Sequence, residues 1–228
     1  MRASALVLTE SELVRNSQLI LAISLMPAVV SLAACAGKIR YPSYYTLNLP
    51  NAVPAANHPA PTLGAVAVQD FDAPGFLRGG PIAYRESATS LGFYAYHRWA
   101  VDPRRVVTVA VIHEMQSRGI FRSVDLFDGR GMPDCLMTGA IDHLEEIDEG
   151  TNVSVEVGLS AQLINLKTGE VLWQGNSAKR TKLDQRSVPG VVAAMSAQMN
   201  NTVESLVSSI QNRVSTATAP LSGSHIEQ

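Results

Sequence analysis

Asn152-Val153-Ser154-Val155-Glu156-Val157-Gly158-Leu159-Ser160-Ala161-Gln162-Leu163 alternates strictly: Val153, Val155, Val157, Leu159, Ala161 and Leu163 interleave with Asn152, Ser154, Glu156, Gly158, Ser160 and Gln162. A period of two describes a strand with one face on a core and the other near water. Asn165 to Gly169 then supplies a turn. Glu170 to Ala178 returns through Val171, Leu172 and Trp173, so the pair reads as an antiparallel hairpin.

Upstream of the hairpin, Cys135 to Ile147 forms a further strand. It ends in an acidic corner of Glu145, Glu146, Asp148 and Glu149. Hard cations favour carboxylate oxygens, but the stretch from Asp142 to Glu149 lacks the spacing and glycine of a calcium loop. It reads as a solvated strand end. Further upstream, Leu63 to Val68, Ile82 to Ser87, Phe93 to Trp99 and Phe121 to Phe127 have strand composition, and a loop through Pro74 and Gly75 follows the first of them. Tyr44-Tyr45-Thr46-Leu47 is a short strand able to join the same sheet.

Two helices complete the pattern. Asp102-Pro103 opens the first, since aspartate caps free amides and proline suits the first helical position. Val106, Val109, Ala110 and Ile112 to Met115 give its apolar face up to Gly119. Behind Pro189-Gly190, Val192, Met195, Met199, Val203, Leu206 and Ile210 recur at helical steps. The order predicts an α+β two-layer sandwich, with a mixed, mostly antiparallel sheet and both helices packed on one face.

Leu32-Ala33-Ala34-Cys35 says where the chain resides. Small residues before a cysteine, after an apolar run, form the pattern that bacterial lipoprotein signal peptidase cleaves. The run Leu19 to Leu32 holds 14 uncharged residues behind Arg15. That is a secretory signal, and it is short of the roughly 20 residues that span a bilayer. Glu10 and Glu12 ahead of Arg15 are unusual for a leader and place the start codon in question. Cys35 is the expected lipidation site, carrying a diacylglycerol thioether and an N-acyl chain such as palmitate; each buried CH₂ adds about 0.8 kcal/mol of anchoring. Ala36 stands where aspartate signals inner-membrane retention, so the expected location is the periplasmic face of the outer membrane.

The expected organisation is therefore a signal peptide over 1–34 and a lipidated N-terminus with a short strand and Pro-rich tether over 35–62. A domain over 63–214 and a polar, disordered tail over 215–228 complete it. Removing 1–34 deletes Arg2 and Arg15 with Glu10 and Glu12, leaving the net charge of -2 unchanged. That argues against nucleic acid as a partner. Acylation of Cys35 leaves Cys135 without an intramolecular partner in an oxidising compartment. In its apolar run, Cys135 reads as a buried small hydrophobe.

Catalytic patterns do not emerge. The histidines at 58, 97, 113, 143 and 225 lack the spacing of a zinc site, and neither cysteine sits in a ligand pair. A serine nucleophile elbow and a phosphate-binding glycine loop do not occur, and Gly129-Arg130-Gly131 reads as a turn. No metal or other cofactor is expected beyond the acyl chains. The informative cluster is Tyr84-Arg85 with Phe93, Tyr94, Tyr96, His97, Arg98 and Trp99. Aromatic and cationic residues of this kind either mark partner surfaces or fill a core edge.

On these residues the chain resembles the ABC-type transport auxiliary lipoproteins of the PqiC/YmbA type, which accompany Mce-domain lipid transport systems. The resemblance runs through Tyr44-Tyr45-Thr46-Leu47, Ile82-Ala83-Tyr84-Arg85 and His97-Arg98-Trp99-Ala100 followed by Pro103. It continues through Gly119-Ile120-Phe121, Leu136-Met137-Thr138-Gly139 and Thr168-Gly169-Glu170-Val171-Leu172-Trp173. Cys135 departs from the pattern, where an aliphatic or aromatic residue is expected. The resemblance implies a non-enzymatic subunit that meets a Mce-domain protein, with room for a homo-oligomer. It makes Tyr84, Arg85, Arg98 and Trp99 candidates for fold-defining or partner-binding roles. The alternatives are a carrier that holds lipid between helices and sheet and an envelope hydrolase.

Overall fold

The alternating segment becomes strand β7, Asn152–Asn165, at the heart of the sheet. Its apolar parity is buried from Val153 to Leu163. A computed structural model gives the fold and describes residues 40–50, 63–78 and 80–218. The signal peptide, Cys35, the prolines of the tether within 51–62 and the end of the tail from 219 lie outside the described residues. The chain divides into two units, Met1–Tyr41 and Pro42–Gln228, and the sheet belongs to the second.

Eight strands form one sheet: β1 (Ser43–Tyr45), β2 (Leu63–Val68), β3 (Pro81–Ser87), β4 (Ser90–Trp99), β5 (Phe121–Leu126), β6 (Cys135–Glu149), β7, and β8 (Val171–Leu183). A short 3-10 turn at Gly75–Arg78 separates β2 from β3. The 15-residue β6 organises the sheet. One of its edges takes β7, which in turn pairs β8, both antiparallel. Its other edge takes β2 near Cys135 and β3 near Glu146, both parallel, with Asp72 bridging to Ala140 between them. Beyond β2 lies β5, parallel; beyond β3 lie β4, antiparallel, and β1, parallel to β4. The sheet is mixed, and its antiparallel ladders carry most of the paired residues.

Helix α1, Pro103–Arg118, starts and stops where the sequence signals it. The Asp102 carboxylate accepts the Arg104 amide, Pro103 fills the first turn, and Gly119 closes the helix with φ 61°. Thr108 in α1 accepts the Phe71 amide at 2.9 Å, tying the loop after β2 to the helix. Helix α2, Val188–Thr218, is longer than its sequence pattern. Pro189 and Gly190 lie inside its first turn, and it passes Ser215, where the polar tail was expected to begin. Both helices share one core with the sheet, built on Met115, Met137, Ile141, Leu159, Leu163, Met195, Met199 and Leu206. Burial of each such side chain contributes about 1.5 to 3 kcal/mol.

Between sheet and helices the packing is tight enough to test. A Cβ added at Gly139 would stand 2.5 Å from the Phe71 ring and 2.9 Å from the Ser160 carbonyl oxygen. Gly139→Ala is expected to destabilise by about 1 to 3 kcal/mol through overpacking. An unchanged urea midpoint would show that the loop carrying Phe71 yields freely.

Candidate functional site

The acidic corner is the largest departure from the sequence reading. It is a solvated strand end only at its margins, where Asp142 and Glu149 are exposed; Glu145 is 1% and Glu146 0% exposed. Adjacent residues on β6 point to opposite faces, so the two carboxylates enter different surroundings.

On the helix-covered face, Glu146 pairs in register with Val155 and Asp148 with Val153. Tyr94 donates its hydroxyl to Glu146 Oε2 at 2.6 Å. Arg186, in the link between β8 and α2, reaches Glu146 Oε1 at 3.6 Å and also pairs with Asp148. Glu146 Oε1 and Asp148 Oδ1 are buried without a hydrogen-bond donor. Burial first, then the hydrogen bond to Glu146 and its charge, push the Tyr94 phenol well above its ordinary value. A raised folded-state pKa favours the neutral phenol, so this contribution is complete below about pH 10 and fades as pH rises through the folded value. Ultraviolet titration should therefore show a late tyrosine ionisation, and that late phase should vanish in Tyr94→Phe. A late phase that persists would assign it elsewhere.

On the opposite face, Arg85 binds Glu145 with two parallel hydrogen bonds, Nε to Oε1 at 2.9 Å and Nη2 to Oε2 at 3.0 Å. Such a fork is the strongest form of carboxylate recognition, and it holds the Arg85 guanidinium still more firmly protonated. Arg180 similarly joins Glu149 and Glu156. Ligand atoms of His143, Glu145 and Glu156 lie within 4.8 Å of one another. Arg85 and Arg180 already neutralise both carboxylates, so an entering cation would meet two guanidiniums. The arrangement fastens strands β3, β6, β7 and β8 together.

The four residues singled out by resemblance are separated by the fold. Arg85 faces Glu145, whereas Tyr84, one residue earlier, lies on the helix side with its ring 5.2 Å from that of Tyr94. Tyr84 also fills the space over Gly92. Trp99 is buried in the core at 6% exposure, its indole N–H without a partner. Arg98 stands on the opposite face, in register with Tyr44 of β1. His97 belongs with the helix-side group, its Nδ1 3.0 Å from the Tyr45 hydroxyl.

Sequence reasoning missed Glu146, Asp148 and Arg186. Continuing the Val153–Val155 alternation back across the Gly150 turn would have placed Asp148 and Glu146 on the core face. Cys135 is buried as expected, at 4% exposure, and burial pushes its thiol pKa up, away from the reactive thiolate. The space named for a bound lipid is filled by side chains: Val155, Val157, Leu159, Met195 and Met199 are each 0% exposed. No helix among the described residues is long and apolar enough to cross a membrane.

Comparison with known proteins gives two kinds of likeness. A family model described as ABC-type transport auxiliary lipoprotein component matches residues 45–207. No curated protein matches the sequence. Among solved structures, a Xanthomonas campestris protein assigned to the family model DUF330 superposes with TM-score 0.64 at 15% identity, over 77% of this chain and 99% of its own. A second structure, titled only as an uncharacterized protein, gives TM-score 0.59 at 14% identity, over 75% of this chain and 99% of its own. At such identities these two structures support the fold alone.

Proposed function

Because this chain belongs to the ABC-type transport auxiliary lipoprotein component family, we propose that it serves as a lipid-anchored, non-enzymatic subunit of an ABC transport system whose cargo is lipid. The observation that carries this reading is the coincidence of a family match over 45–207 with a lipoprotein cleavage pattern ending at Cys35. In it, Cys35 is acylated and holds the domain on the periplasmic face of the outer membrane. Export past the inner membrane follows from alanine rather than aspartate at position 36. A Mce-domain protein reaching across from the inner membrane is the partner, and a permease and an ATPase there supply the energy.

The domain's chemistry supports a docking part rather than a carrier or catalyst. Its buried carboxylates are held by Arg85, Tyr94 and Arg186, and its interior is occupied by its own side chains. Tyr84, Arg85 and Trp99 act in this reading by defining the fold. Arg98, on the face away from the helices, is left for contact. Crosslinking in intact envelopes followed by affinity purification should recover a Mce-domain or ABC-transport component. Recovery of neither, with the bait intact and membrane-bound, would refute the subunit role. Stoichiometric lipid on the gently extracted domain would favour the carrier instead.

A further inference from the structure

Large exposed aromatic side chains gather at the β1–β4 edge: Tyr44 is 62% exposed, and Phe93 and Tyr96 are each 45% exposed. The register resolves how three neighbours lie. Tyr44 stands opposite Arg98, Arg98 opposite Pro81, and Phe93 opposite Ala83. The pairing shifts register between these positions, where five residues of β4 span two of β3, and on either side of that irregularity Pro81 and Ala83, two apart on β3, point the same way. Tyr44, Arg98 and Phe93 therefore share the face turned away from the helices, whereas Tyr84 and Tyr94 occupy the other.

This edge is also where the chain arrives from its anchor. Ser43, the first residue of β1, is eight positions beyond Cys35. Fully extended, that link spans no more than about 30 Å, less than the roughly 40 Å width expected of a domain of this length. A domain tethered so closely at β1 keeps that edge beside the bilayer. At such high effective concentration, a patch of modest intrinsic affinity sets the orientation.

Resting on the anchored-lipoprotein reading above, we propose that the Tyr44–Arg98–Phe93 face docks on the phospholipid surface. Tyr44 and Phe93 sit at headgroup level, where amphipathic and aromatic rings partition. Arg98 presents a planar donor fork to lipid phosphates. The docked domain holds the rest of the sheet, including the distant β8 edge, away from the membrane for a protein partner.

The test uses the full-length lipoprotein in phosphatidylethanolamine–phosphatidylglycerol vesicles, with photoreactive p-benzoylphenylalanine replacing Tyr44, Phe93 or, as a control, Val171. Val171 is itself 49% exposed, on β8. Illumination should give phospholipid adducts at 44 and 93 at least about tenfold more abundant than at 171. Equal adducts at all three sites, none at 44 and 93, or crosslinks there to a second copy of the chain would overturn the proposal. Intact mass of the same samples separates the two readings. Acylated protein without lipid adducts defeats the docking alone, whereas unacylated protein defeats the anchor and the docking with it.

Discussion

Arg85→Ala is expected to destabilise the domain by about 3 kcal/mol at neutral pH. Truncation leaves the Glu145 carboxylate, only 2% exposed, without the two hydrogen bonds that compensate its burial. Breaking a buried pair from one side costs about 3 to 5 kcal/mol; Arg85, with its own side chain 28% exposed, places this case at the lower end. Replacing both partners with leucine removes the stranded charge and should recover most of the loss. Denaturant unfolding of Arg85→Ala within about 0.5 kcal/mol of the parent would show that water reaches Glu145.

The second large effect is at Trp99. Truncation of a buried tryptophan to alanine costs about 3 to 5 kcal/mol, and Trp99 lies in the core cluster at the point where β4 leads to α1. Trp99→Phe should cost about 1 kcal/mol or less. It keeps a ring in the cavity and removes an indole N–H that has no acceptor. The pair of variants separates stability from binding. If Trp99 only supports the fold, Trp99→Phe binds the transport partner as the parent does while Trp99→Ala fails in proportion to its lost folded fraction. Loss of partner recovery in a fully folded Trp99→Phe would instead place Trp99 at the interface.

Elements defined by local chemistry were legible in the chain. The alternation from Val153 to Leu163 and the Asp102-Pro103 and Gly119 caps of α1 each rest on neighbours within a few residues. What could not be read depends on distant pairing. Nothing in β2 or β3 says that both lie along the same edge of β6, because the loop bridged by Asp72 decides it. Nor does local composition show that Glu145 and Glu146 are buried. Their partners Arg85, Tyr94 and Arg186 stand 60, 52 and 40 residues away along the chain. The aromatic and cationic cluster was visible as a composition, yet the pleat of β3 and β4 divides it between two faces, which a list of residue types does not reveal.

The proposed fatty anchor on Cys35, fixing an auxiliary transport module to the envelope, is open to direct measurement through the mass of the mature N-terminal peptide from native membranes. The predicted peptide begins at Cys35 and carries diacylglycerol with a third, amide-linked chain. A peptide that begins elsewhere, or that contains Cys35 unmodified in protein from the soluble fraction, would contradict it.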